Sequence, residues 1–205
     1  MKKIESHIFG IFPTPIYTTK LKRKLNKEEN KFIKNTLQDC YRNHNNLTSN
    51  NNYVLDNQVF KELKIELTEI VKDYFIKVVD SSNNLKPYIT QSWLNFTKEN
   101  EYHHKHSHPN SVVSGVLYIE ANKNNDHIVF YDDSYQQIRP KVKNYNLYNC
   151  DAWYVPAESY KIILFPSSLT HSVEIKKGKN NRTSLAFNTF IKGTLGDKQD
   201  LTNVV

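Results

Sequence analysis

After Ser81-Ser82-Asn83-Asn84 the chain stops reading as helix and becomes a succession of short, aromatic and β-branched segments. No other feature restricts its fold as much. Expected strands are Ile89–Phe96, Val112–Glu120, His127–Tyr131, Trp153–Val155, Lys161–Phe165, His171–Ile175 and Thr183–Ile191. Turn signals separate them at 122–126, at Pro156-Ala157-Glu158 and at Lys177-Gly178-Lys179-Asn180-Asn181. Many short strands behind two helices predict an α+β protein whose core is a double-sheet jelly roll.

The first part of the chain reads as support for that core. Pro13 and Pro15 exclude a helix over 8–21 and suit an edge strand. Asn26 followed by Glu29 has the pattern of a capping box. A helix is expected from there, with Phe32, Ile33, Leu37, Cys40 and Tyr41 on its inner face. Residues 43–52 are rich in Asn, Ser and Thr and read as a loop carrying His44. From Val59 to Val78, Phe60, Leu63, Leu67, Ile70, Val71, Tyr74 and Val78 recur at helical spacing, with Lys and Glu on the other face. The expected organisation is one domain over 1–205: an N-terminal strand and helices to 84, a jelly-roll core over 85–192, and a frayed polar tail over 193–205.

Composition narrows the function classes. Of 205 residues, 38% are hydrophobic and 12% aromatic, enough for a sizeable core. No run approaches the ~18 apolar residues of a membrane span. The first residues lack a long apolar leader, and Cys40 and Cys150 make no disulfide framework, so the expected compartment is the cytoplasm. The net charge of +7 can attract nucleic acid or an anionic small molecule, but its lysines are spread out, as on an ordinary solvated surface. The N-terminal strand and helices are compatible with a homodimer.

The chemistry is concentrated in Tyr102-His103-His104-Lys105-His106-Ser107-His108-Pro109, which holds four of the eight histidines. In an extended chain, side chains at i and i+2 share a side. His104, His106 and His108 therefore all qualify to face inward, and parity does not choose a pair. A His-x-His pair needs a third ligand, and His171, after the apolar Ile162–Phe165 run, is the best candidate. Three imidazoles suit Fe, Zn, Cu or Ni, and open positions on the ion would make the site catalytic. Further on, Arg182, Ser184, Ala186 and Asn188 share one strand face. An inward-facing arginine demands an anion, and a guanidinium beside a hydroxyl makes a carboxylate receptor. A core-edge acid is the competing partner for Arg182. Metal and receptor together fit a cosubstrate with a carboxylate at one end and a chelating group at the other. His103 and His104 are expected to flank the pocket, and His7, His44 and His127 to be surface or turn residues. Trp93, Trp153, Tyr154 and Tyr131 are expected in the core, and Asp132 and Asp133 at a turn or rim.

Several pieces, in order, resemble the 2-oxoglutarate and Fe(II)-dependent oxygenase superfamily. They are similar above all to its small members in phages and marine bacteria. These pieces are Ile11-Phe12-Pro13-Thr14-Pro15-Ile16-Tyr17, Trp93-Leu94-Asn95, His106-Ser107-His108-Pro109 with Ser114-Gly115-Val116-Leu117-Tyr118, Phe165-Pro166-Ser167-Ser168-Leu169-Thr170-His171, and Arg182-Thr183-Ser184-Leu185-Ala186-Phe187-Asn188. The resemblance implies a double-stranded β-helix, cupin-like core. It implies that His106, His108 and His171 bind Fe(II), and that Arg182 with Ser184 grips the far carboxylate of 2-oxoglutarate. Tyr118 and Asn95 would line the cosubstrate pocket. It implies a dioxygenase that uses O2, hydroxylates a C–H bond of an unidentified substrate and releases succinate and CO2. The alternatives are a cupin-like metalloprotein of another activity and a noncatalytic basic nucleic-acid-binding protein. Two departures stand out. His108 occupies the position where most of the superfamily has a carboxylate. Phe130-Tyr131-Asp132-Asp133-Ser134 matches the family's Asp-Pro-Arg-like segment loosely, and the following loop to Cys150 is where substrate preference would differ.

Overall fold

The computed structural model describes residues 4–133 and 140–204. In chain order its strands are β1 (Tyr17–Lys20), β2 (Cys40–Asn43), β3 (Asn46–Ser49), β4 (Lys86–Thr97), β5 (His103–His106), β6 (Val113–Glu120), β7 (His127–Tyr131), β8 (Ala152–Pro156), β9 (Lys161–Pro166), β10 (His171–Val173) and β11 (Arg182–Lys192). They form a seven-stranded sheet, ordered β1-β9-β6-β11-β4-β3-β2, and a four-stranded sheet, ordered β5-β10-β7-β8. From β4 onward the chain winds between the two: β4, β6, β9 and β11 lie in the larger sheet, and β5, β7, β8 and β10 in the smaller. This winding is the double-stranded β-helix, and all pairings within the two sheets are antiparallel.

The larger sheet carries apolar side chains on both faces because each face is covered. Outward, Leu94, Leu117, Leu164, Leu185 and Phe187 pack in one cluster with Phe60, Leu63, Leu67 and Val71. Inward, Val116, Tyr118, Ile163 and Phe165 pack with Ile128 and Phe130 of the smaller sheet. Each fully buried aliphatic or aromatic side chain contributes roughly 1.5–3 kcal/mol of transfer free energy. Gly115 permits the closest approach: a Cβ there would collide with the Phe187 ring and with Leu164.

The supporting helices begin as the sequence predicts and end differently. At α1 (Lys27–Thr36), the Asn26 side chain accepts from the Glu29 amide, while the Glu29 carboxylate accepts from the Asn26 amide. Arg23 closes on the same buried carboxylate at 2.6 and 2.7 Å. The helix stops at Thr36, and Leu37 is exposed. Cys40 and Tyr41, expected on this helix, instead start the β2–β3 hairpin, and the expected loop over 43–52 contains β3. The reason is tertiary: His44 adopts a left-handed turn conformation, and Leu47 and Thr48 pair with Phe96 and Asn95 of β4. The second helix, α2 (Lys61–Tyr74), follows a 3-10 turn at Gln58–Phe60 and runs into a π turn at Phe75–Val79. None of the described helices is long and apolar enough to cross a membrane.

Two expectations near the edges are corrected. Trp153 and Tyr154 are exposed rather than core, because β8 is the edge of the smaller sheet. Their rings stack on each other at 6.3 Å and 14°. The strand starting at His171 stops at Val173, and Ile175 is exposed. The tail folds back on itself, with Leu195 and Val204 exchanging both backbone hydrogen bonds at 2.8 and 2.9 Å, and Asn83 Nδ2 donates to the Gly196 carbonyl at 3.1 Å.

Candidate active site

The two sheets enclose a narrow cavity of about 50 Å³, which shares Trp93, His103, His106 and His108 with an open mouth of about 340 Å³. Its two walls are built differently.

The wall from the larger sheet is a regular cross-strand grid. Ser184 of β11 lies opposite Asn95 of β4 on one side and Tyr118 of β6 on the other. One step along, Arg182 lies opposite Thr97. Alternation then puts Asn95, Thr97, Tyr118, Arg182 and Ser184 on the cavity side, and all five line it. Thr48 donates to Asn95 Oδ1 at 2.9 Å and fixes that amide. Burial pushes the Tyr118 phenol above its ordinary range, with Asp126 adding to the shift and Arg182 opposing it. Tyr118 therefore stays protonated at neutral pH and available as a donor.

Arg182 is 4% exposed. Its Nη1 donates to Asp126 Oδ1 at 3.1 Å, and the ammonium of Lys176 approaches the same oxygen at 3.3 Å. The other oxygen of Asp126 accepts from the Asn122 amide at 2.8 Å. Lys176 and Asp126 are both fully buried. The competing partner anticipated for Arg182, a core-edge acid, is thus present. It does not satisfy the arginine: Nη2 is buried with no hydrogen-bond partner among the described residues. Formal charges of two cations and one carboxylate leave this buried group at +1. An uncompensated buried charge is costly, so the group is complementary to an anion in the cavity. Asp126 and Lys176 escaped the sequence reading because both sit in turn-like polar stretches, one before β7 and one after β10.

The wall from the smaller sheet carries the imidazoles. His106 of β5 pairs with His171 of β10, which brings their rings to 4.4 Å between centroids. One nitrogen from each of His106, His108 and His171 can be chosen so that all lie within 4.8 Å of one another. The tautomers suit ligation. His106 Nδ1–H donates to the His104 carbonyl at 2.8 Å, and His171 Nδ1–H donates to the Leu169 carbonyl at 3.0 Å. Each ring is left with an Nε2 lone pair. Burial is the main cause that holds His108 down to about 4 and His171 down to about 3, and burial also lowers His106. All three are neutral at pH 7, the form that binds metal.

His108 lies beyond the end of β5 and is held by the neighbouring loop. Its backbone amide donates to the Ser167 carbonyl at 2.9 Å. The buried Ser167 hydroxyl joins those of Ser111 and Ser114 at 2.7 and 2.8 Å, and Ser114 donates to Asn188 Oδ1 at 2.8 Å. The segments Phe165–His171 and Arg182–Asn188 thus secure the loop that presents His108.

His103 and His104 are closer to the site than expected. Val173 pairs with His103 while His171 pairs with His106, so β5 spends three residues where β10 spends two. This bulge reverses the alternation and puts His103 on the cavity side with His106. Their rings stack at 4.7 Å and 18°. His104 packs on His106 at 4.9 Å, and His44, expected at an ordinary turn, packs on His104 at 4.1 Å. Trp93 is half-buried and lies over His108 at 5.6 Å, so it lines the cavity instead of filling the core. His7 is exposed, and His127 pairs with Glu174 at 2.7 Å, away from the cavity. At the rim, Lys105 bridges to Asp133 at 2.8 Å and lies 4.3 Å over the half-buried Tyr131 ring. Ser134 and the first residues of the loop toward Cys150 lie outside the described residues.

The donor set fits a divalent transition metal: three neutral imidazoles, two of them with fixed tautomers, and no carboxylate among them. The orphaned Arg182 Nη2 fits a carboxylate in the same cavity. Residues 91–188 match the family model described as "Putative 2OG-Fe(II) oxygenase". Comparison with curated proteins finds no matching sequence. Among solved structures the chain is similar to HygX from Streptomyces hygroscopicus with nickel, 2-oxoglutarate and hygromycin B bound, at 13% identity and TM-score 0.57, covering 86% of this chain and 82% of that one. It is also similar to the epimerase SnoN in complex with Fe3+, alpha ketoglutarate and nogalamycin RO (10% identity, TM-score 0.62, 86% and 79% covered). A third similar structure is a Pseudomonas putida prolyl-4-hydroxylase (9% identity, TM-score 0.56, 85% and 92% covered). At these identities the likeness shows a shared fold.

Proposed function

Because residues 91–188 match the family model described as "Putative 2OG-Fe(II) oxygenase", we propose that this chain is a 2-oxoglutarate- and Fe(II)-dependent dioxygenase that hydroxylates a C–H bond of its substrate and releases succinate and CO2. His106, His108 and His171 would hold the iron. Arg182 with Ser184 would hold the far carboxylate of 2-oxoglutarate, and Tyr118 and Asn95 would line its path. The observation that carries this reading is the buried, unpartnered Nη2 of Arg182, in a group of formal charge +1, within the cavity that three neutral imidazoles also line. HygX and SnoN, each described with a metal and the 2-oxo acid, support it at the level of fold.

Bound iron would supply the redox chemistry that couples decarboxylation of the 2-oxo acid to oxidation of the substrate by O2. The chain's own residues bind, orient and exclude water. The fork of Arg182 is fixed at one nitrogen by Asp126, so the other is aimed before any ligand arrives. That preorganisation lowers the ordering cost of binding. Tyr118 and Ser184 offer hydroxyls beside it, and Val116, Ile128 and Phe165 make the remaining lining dry. His108, in place of the family's usual carboxylate, leaves the donor set one negative charge short, and the anionic cosubstrate then meets a more positive cavity.

A cupin-like metalloprotein of another activity is the second reading, and the all-imidazole donor set favours it, since such donors also suit Zn, Cu and Ni. Anaerobic titration separates the two. The dioxygenase reading expects Fe(II)-loaded protein to bind 2-oxoglutarate and to form succinate once oxygen is admitted. Stoichiometric metal with no 2-oxoglutarate binding would favour the second.

A further inference from the structure

The mouth of the cavity holds a second group of imidazoles. The ligand nitrogens of His103, His104 and His106 also fall within 4.8 Å of one another, as those of His106, His108 and His171 do. From this geometry we propose that His103, His104 and His106 form an outer site for a divalent transition metal ion. Because both sites draw on His106, one chain holds one ion at a time, in the outer or the inner position. The outer site stands on its own residues, while the alternation rests on the inner metal site proposed above.

Several observations converge on it. His104 Nδ1 is buried and has no hydrogen-bond partner among the described residues, so this polar atom lacks the compensation that burial demands. The β5 bulge brings His103 onto the side of His106, and without it alternation would turn His103 away. His106 has committed Nδ1–H to the His104 carbonyl, so it offers one nitrogen, which cannot serve two ions. The described residues lining the mouth, among them Tyr41, Asn43, Asn52 and Trp93, include no Asp or Glu to pair with these imidazoles. His44, with its ring 4.1 Å from His104, covers the outer side. Imidazole donors select Zn, Cu, Ni, Co or Fe over Mg and Ca. An ion entering through the mouth meets this position first, and one that stays there withdraws His106 from the inner site.

The test uses the full-length chain and Zn(II), with a chromophoric chelator as competitor. The variant H108A/H171A removes the inner ligands and keeps His106. It should still bind one equivalent of Zn(II), and adding H103A/H104A should weaken that binding at least about 30-fold, the order expected when metal-site partners are lost. Wild-type protein should bind one equivalent. No Zn(II) binding by folded H108A/H171A, as judged by circular dichroism, would overturn the proposal. So would unchanged binding in the fourfold variant, or two equivalents in wild type. If the fourfold variant fails to fold, H104A alone in the H108A/H171A background carries the same expected loss. The inner reading is followed separately by the visible charge-transfer band of Fe(II) with 2-oxoglutarate, which should be present in wild type and absent in H108A/H171A.

Discussion

The two walls of the cavity present the same number of sheets and opposite kinds of order. On the larger sheet, Tyr118, Ser184 and Asn95 stand in one row across three strands, with Arg182 one step along. On the smaller sheet, the three ligands come from the end of β5, the loop after it and the start of β10, beside a two-step register against a three-step one that places His103. The regular wall offers charge and hydroxyls, and the irregular wall offers neutral imidazoles. A long, central strand such as β11 fixes side-chain direction through its ladder. A short edge strand such as β5 fixes it through a bulge and a bound loop.

The largest effect should come from breaking the charge balance behind the regular wall. Asp126→Asn leaves Lys176 and Arg182 buried without their carboxylate. It should destabilise the fold by about 3 kcal/mol or more, read as a lower urea midpoint. The irregular wall should be unmoved in its chemistry, so iron content of the folded fraction stays near wild type. His171→Ala attacks the other wall and should weaken Fe(II) binding at least about 100-fold, with the far-UV spectrum retained. Stoichiometric iron in that variant would remove His171 from the site. Arg182→Met should weaken 2-oxoglutarate by about 10- to 100-fold, since charge-assisted hydrogen bonds contribute about 1.5–3 kcal/mol, while iron affinity changes little. Equal losses of metal and cosubstrate would mean that the walls are not separable.

A smaller effect should appear with pH in the metal-free protein. Folding lowers His103 to about 2, His171 to about 3 and His108 to about 4, mainly by burial. The unfolded chain therefore binds more protons between those values and about 6.5, the ordinary histidine value. Stability from these groups is complete above that value and is lost progressively as pH falls from about 6.5 toward about 2. The urea midpoint should be level above pH 7 and decline below it, and His103→Phe should flatten part of the decline. A midpoint that rises on acidification would contradict the neutral-imidazole wall.

What could be read from the sequence follows the same division. Arg182 and Ser184 were legible because strand alternation holds along β11, whereas Asn95 and Tyr118 came only from the family resemblance. His171 was legible because it begins an extended run after a buried one. The capping box at Asn26 and Glu29 was legible because both halves of it are local. His103 was not, because a bulge is one extra residue and leaves no mark in hydrophobic periodicity. His44 and the β2–β3 hairpin were not, because Asn, Ser and Thr suit a loop unless another strand supplies a ladder to join. Asp126 and Lys176 look like turn residues, and their pairing depends on Arg182, which is far away in the chain. Trp153 and Tyr154 read as core by composition but lie on a sheet edge, a fact of topology.

The central claim is that a metal site and a carboxylate receptor occupy facing walls of one cavity. The most direct measurement is anaerobic titration of Fe(II)-loaded protein with 2-oxoglutarate, in wild type and Arg182→Met, followed by oxygen and a succinate assay. The account predicts one iron per chain, saturable 2-oxoglutarate binding that weakens by about 10- to 100-fold in the variant, and succinate formed by wild type. Iron-loaded wild type that neither binds 2-oxoglutarate nor forms succinate would contradict it.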